Sequence, residues 1–181
     1  IRSGKAQGST SASRKLHDLI TATGQYSIEA WAAPANVNQE DTRIISYSAG
    51  PTLRNFTLGQ TLYSYDFLHR SSSTDANGAP ILQTAAADED AQATLQHVVL
   101  TFDPVNGRRV YVNGVYTQDA DPVAGGTLGD WDETFALVLG NEPSGDRQWQ
   151  GVLRLAAIHN RALTATQVQQ NYDAGVGEKF F

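Results

Sequence analysis

From Gln96 to Tyr116 the chain reads QHVVLTFDPVNGRRVYVNGVY, short apolar runs punctuated by two Asn-Gly pairs. Asn-Gly readily supplies the positive φ angles of a two-residue type I′ turn, so the pattern predicts three consecutive strands joined at Asn106-Gly107 and Asn113-Gly114. Within them Val110 and Val112 share one face, while Arg109, Tyr111 and Asn113 share the other. Alternation recurs elsewhere. In Tyr26–Ala33, Tyr26, Ile28 and Ala30 oppose Ser27, Glu29 and Trp31, and Pro34 ends the strand or restricts it to an edge. Arg43–Tyr47 and Asn55–Leu58 read as strands flanking a turn at Ala49-Gly50-Pro51, and Leu62–Leu68 places Tyr63, Tyr65 and Phe67 on one face. Phe135–Leu139 and Val152–Ile158 are apolar enough to predict central strands buried on both faces.

Helical spacing is confined to two short stretches. Leu16, Leu19 and Ile20 predict a helix over 14–23, with Ser13 as N-cap and Gly24 as stop. A second is predicted over 164–174, where Thr164 and Gln167 form a capping box, Val168 and Tyr172 lie four apart, and Gly175 follows as C′. Residues 1–12 read as an irregular arm, and 71–93 and 119–131 as long polar connections. Short strands at fairly regular spacing with peripheral helices predict an all-β fold, two antiparallel sheets packed as a sandwich or jelly roll.

Composition narrows the functional classes. The 181 residues suffice for one domain, 1–181, with its own core and without metals or disulfides. No apolar run approaches the ~18 residues of a membrane span, which excludes membrane insertion by a helix. A net charge of −6 works against nucleic acid, whose binding depends on Lys and Arg neutralising phosphates. The absence of Cys removes disulfides, thiolate metal sites and thiol nucleophiles. A start at Ile1 in a chain without Met, and an ending on Phe180-Phe181, give the expectation of a piece of a larger polypeptide.

Four stretches in order carry a family resemblance: YSIEAWAAP at 26–34, QHVVLTFDPVNGRRVYVNG at 96–114, LVLGNE at 137–142 with WQG at 149–151, and IHNRALT at 158–164 followed by Val168. Together they resemble the laminin-G-like jelly roll of the concanavalin A-like superfamily. The resemblance implies an extracytoplasmic, non-catalytic module that binds a glycan or a protein, or packs against neighbouring domains of a parent chain, often with a structural calcium ion. Where that family commonly carries an Asp used as a calcium ligand, this chain has Arg154, which supplies the opposite charge.

The candidate chemistry lies in the loops. Calcium takes oxygen ligands, and Asp75, Asn77, Asp119 and Asp121 are its candidates, with Asp88, Glu89, Asp90, Asp130 and Asp132 as further acidic loop residues. Asp130 and Asp132 alternate, as carboxylates of glycoside hydrolases on this superfold do, but the family's Glu-x-Asp-x-x-Glu pattern is not reproduced, and the alternative of a solvated turn stands beside hydrolysis. A sugar platform needs an exposed ring flanked by polar groups. Trp131, in a predicted loop, is the first candidate, with Asp130, Asp132, Tyr63, Tyr65 and His69 as companions. The bland reading of the Tyr63–Phe67 stripe is sheet core. His17, His69, His97 and His159 lack metal-ligand spacing, and structural roles are the ordinary expectation for them.

Overall fold

The computed structural model describes residues 1–123 and 125–177. Eleven strands and two α-helices follow in the order β1 (Ala6–Gln7), α1 (Thr10–Thr23), β2 (Tyr26–Pro34), β3 (Thr42–Gly50), β4 (Leu53–Thr61), β5 (Ser64–His69), β6 (Leu82–Gln83), β7 (Gln96–Asp103), β8 (Gly107–Val112), β9 (Val115–Ala120), β10 (Ala136–Leu139), β11 (Gly151–His159) and α2 (Ala165–Ala174). They form a six-stranded sheet, β1-β10-β3-β4-β5-β6, and a five-stranded sheet, β11-β2-β7-β8-β9, every pair antiparallel. This is the expected jelly-roll sandwich. Phe180-Phe181, on which the expectation of a larger polypeptide partly rests, lies outside the described residues.

Alternation fills the space between the sheets. Tyr26, Ile28, Ala30 and Ala32 of β2, Val98, Leu100 and Phe102 of β7, and Val110 and Val112 of β8 meet Ile45 and Tyr47 of β3, Phe56 and Leu58 of β4, and Tyr65 and Phe67 of β5. Burying each large side chain is worth about 1.5–3 kcal/mol, so this cluster supplies most of the driving force for association of the layers. The opposite residues of β2, β7 and β8 meet α2. Trp31 stacks on Tyr172 with ring centroids 5.7 Å apart, and Val99, Tyr111, Leu163 and Val168 form a second cluster. The capping box is present: the Thr164 hydroxyl accepts from the Gln167 N–H while the Gln167 side chain accepts from the Thr164 N–H.

Several boundaries differ from expectation for local reasons. Helix α1 starts at Thr10, because Ser9 rather than Ser13 is the N-cap, accepting from Ala12 N–H. Ser13 is instead buried, its hydroxyl donating to the Ser9 carbonyl and accepting from Leu137 N–H, which ties the helix to β10. Asn113-Gly114 makes the expected turn, with φ of 51° and 81°. Asn106-Gly107 does not: only Gly107 has positive φ, and Asp103 pairs with Gly107 across a three-residue loop. The Asp103 carboxylate accepts from Val105 and Asn106 N–H, stabilising that longer turn. Strand β11 is no central strand. It borders only β2, and Val152, Arg154 and Ala156 are exposed along it.

Candidate functional site

One end of the sandwich opens into a cleft of about 300 Å³ lined by His69, Ser73, Thr74, Pro80, Phe102, Arg108, Asp121, Pro122, Val123 and Gly125. The C-terminal ends of β5 and β7 deliver His69 and Phe102, whose rings lie 4.2 Å apart between centroids. The start of β8 delivers Arg108 in the same inward parity as Val110 and Val112. The loops after β5 and β9 form the walls. They are knitted together: Ser72 N–H donates to the Thr127 carbonyl, Thr127 N–H to the Ser72 hydroxyl, and the Trp131 indole N–H to the Arg70 carbonyl at 2.7 Å. At Gly126, φ is 86° and an added Cβ would lie 2.5 Å from the Ser73 hydroxyl, so the close approach of these loops requires glycine there.

His69 is 1% exposed, and its Nδ1 lies 2.8 Å from the Tyr26 hydroxyl. Burial holds the Tyr26 phenol far above its usual range, so it keeps its proton. Burial first, and the Arg108 charge second, push the His69 imidazole well below its ordinary range, so the ring is neutral. A neutral imidazole has one N–H. With Tyr26 O–H donating to Nδ1, that hydrogen is assigned to Nε2, which has no partner among the described residues. A buried donor without an acceptor is costly and therefore informative.

Arg108 is equally buried, with four of its five N–H groups engaged. Its Nε and Nη2 donate to the Asp121 carboxylate, Nη2 also to the Pro80 carbonyl, and Nη1 to the Phe67 carbonyl, at 2.7–3.1 Å. Asp121 thus neutralises it. Beside the buried His69 Nε2, the cleft offers hydroxyls of Ser73 and Thr74, carboxylate oxygens and the apolar surfaces of Phe102, Pro80, Pro122 and Val123. That mixture suits a ligand with both polar edges and an apolar face.

Of the residues expected at a site, the structure brings only His69 and Asp121 into this cleft. Trp131 is not an exposed platform. It is 6% exposed and packs edge-on against Tyr26 and Tyr47, because the loop carrying it folds inward as a plug at the end of the core. Tyr65 is buried, its hydroxyl donating to Gln96 Oε1, and only Tyr63 is exposed. Tyr63 precedes β5 and His69 ends it, so about 20 Å of strand separates them. Asp130 is exposed. Asp132 closes a turn into β10 by accepting from the Thr134 hydroxyl and N–H. The Thr134 hydroxyl chiefly holds it below the usual carboxylate range, opposite to what a general acid needs.

The expected calcium ligands do not converge. The Asp75 carboxylate accepts from Ala79 N–H, Asn77 Oδ1 accepts from Arg54, and Asp121 belongs to Arg108. Asp119 lies instead near Asp90, which burial, then Asp119 and Asp88, raise above its usual value. The tightest His/carboxylate cluster among the described residues is His17, Asp18 and Glu133, whose ligand atoms lie within 4.8 Å of one another beside Arg14, 3.0 Å from Glu133. Phe102, Arg108, Ser73 and Thr74 were absent from the sequence-based candidates. For Arg108 a signal existed, since its parity with Val110 and Val112 sets a charged residue on the core face.

A family model described as the Concanavalin A-like lectin/glucanases superfamily matches residues 6–169. No curated protein matches by sequence. Among solved structures, the CBM40 of Ruminococcus gnavus IT-sialidase, bound to alpha2,3 sialyllactose, is 17% identical with TM-score 0.64, covering 81% of this chain and 82% of that one. Domain 4 of AbnA, a GH43 extracellular arabinanase from Geobacillus stearothermophilus in complex with arabinotriose, is 18% identical with TM-score 0.55, covering 81% and 66%. The binding domain of Botulinum neurotoxin DC, in complex with rat synaptotagmin II, is 12% identical with TM-score 0.58. There the match covers 85% of this chain but 36% of the neurotoxin chain. At these identities the likeness is one of fold.

Proposed function

The chain belongs to the concanavalin A-like lectin/glucanase superfamily, and we propose that within it this chain is a non-catalytic recognition module that holds a carbohydrate in the His69 cleft. The observation that carries this reading is the buried, unpartnered His69 Nε2 beside a cleft that also offers hydroxyls, a carboxylate and an aromatic ring. Sugars satisfy such a surface because each hydroxyl both donates and accepts, while one ring face is apolar. Among the neighbours on this fold, one is the binding domain of a neurotoxin and two hold oligosaccharides, which supports the same reading. We propose further that the module acts outside the cytoplasm as one domain of a larger polypeptide.

A glycan array tests the proposal, paired with nitrogen-detected resonances of the His69 ring. Binding should shift the Nε2 resonance, and Ser73→Trp, a change at an exposed wall position, should abolish retention by filling the cleft without touching the core. Retention that survives Ser73→Trp would place the site elsewhere.

A further inference from the structure

We infer that the cleft takes one uncharged sugar ring, the terminal residue of a glycan, and discriminates against sugars that carry a carboxylate. The inference rests on the carbohydrate-binding reading and specifies its ligand. Size is the first argument. A cavity of about 300 Å³ lies at the lower end of the range for small-molecule sites and has room for a single ring rather than a run of them. It lies at the end of the sandwich, walled by the loops after β5 and β9, rather than along a sheet face where an extended chain could pass through.

Charge is the second argument. A site built for a carboxylate offers a cation with free, converging N–H groups. The cleft's cation, Arg108, has its Nε and Nη2 turned onto Asp121 and the Pro80 carbonyl, and its Nη1 onto the Phe67 carbonyl. Asp121 keeps partial exposure at the cleft wall and compensates Arg108, so an entering carboxylate meets no net positive charge. The remaining polar atom, His69 Nε2, belongs to a neutral ring whose Nδ1 is paired with the Tyr26 hydroxyl. It suits a hydroxyl or ring oxygen and adds no positive charge. Phe102 and Pro80 provide apolar surface for the face of the ring.

Isothermal titration with matched pairs, methyl glucoside against methyl glucuronide and methyl galactoside against methyl galacturonide, tests this directly. At least one neutral glycoside should bind, with its uronide about tenfold or more weaker, as expected for a carboxylate that gives up hydration to a site offering it no free cation. Val123→Lys, at a cleft-wall position 84% exposed, should narrow that gap. Ser73→Trp should remove both. A uronide that binds as well as its neutral partner overturns the inference and leaves the carbohydrate reading standing. Binding of neither member of any pair, with no retention on the glycan array, overturns the reading itself.

Discussion

His69 illustrates how one buried side chain couples recognition to stability. Its folded pKa is depressed, whereas the unfolded ring takes up a proton near pH 6.5. Below that value the unfolded state binds more protons than the folded one. Stability therefore falls as pH drops from about 6.5 towards the folded pKa, with a slope of up to about 1.4 kcal/mol per pH unit from this residue. Urea melts between pH 6.5 and 5 should show that slope in the wild type, and His69→Phe should flatten it. An equal slope in both proteins would mean that His69 titrates normally. Trp131 is the second test at this scale: Trp131→Ala should cost about 3–5 kcal/mol of stability, since it removes an indole packed on Tyr26, Tyr47 and Phe56. A loss under about 1 kcal/mol would contradict the plug. The sequence offered Trp131 as exposed because loops carry no periodicity. What buries it is Arg70, 61 residues away, which accepts its indole N–H, together with the Asn55 side chain, which bonds the backbone of Asp132.

At the scale of elements, local chemistry announced α2 and the Asn113-Gly114 turn, because caps and positive-φ pairs are short-range devices. It did not announce how α2 is fastened. Glu29 on the outer face of β2 receives hydrogen bonds from His97 of β7 (2.9 Å), His159 of β11 (2.8 Å) and Asn171 of α2 (2.9 Å). Burial works against the charged carboxylate, but the hydrogen bonds from His159 and His97 and their positive charge outweigh it and bring its pKa down to about 2. A depressed carboxylate stabilises the fold above its unfolded pKa near 4.5 and loses that contribution as pH falls towards 2. Acidification over this window should unfasten α2, changing the emission of Trp31, which stacks on Tyr172. Glu29→Gln should start less stable at pH 6 and lose the additional change between pH 4.5 and 2. The three partners lie 68 to 142 residues from Glu29, so no window of sequence could show their convergence. The edge position of β11 was hidden similarly. Its apolar run reads the same whether one strand or two lie beside it.

Across the whole molecule, the two sheets treat polarity differently. The five-stranded sheet packs the middle of its outer face against α2, whereas the six-stranded sheet buries an ionic network on its outer face. There Glu142, in the segment after β10, accepts from Ser46 and Ser48 of β3 and from Arg54 of β4 at 3.0 Å, with Arg43 Nε 3.4 Å away. All five side chains are buried. Arg54 also donates to Thr57 and Asn77, and Arg43 reaches Asp41, so the network links β3, β4, the loop before β3 and the loop after β5. That last loop also carries Ser73 and Thr74 of the cleft. Removing one member of such a group strands buried charge, while replacing all of it with apolar residues of similar volume need not be costly. Glu142→Gln should therefore destabilise by about 3–5 kcal/mol, and the triple change Arg43→Met, Arg54→Met and Glu142→Met by markedly less than the sum of the single changes. If the network also positions the loop after β5, the triple variant should fold and yet bind neutral glycosides more weakly than the wild type. Folding with unchanged affinity would confine the network to stability and leave the cleft to be shaped by the Ser72–Thr127 and Arg70–Trp131 contacts alone.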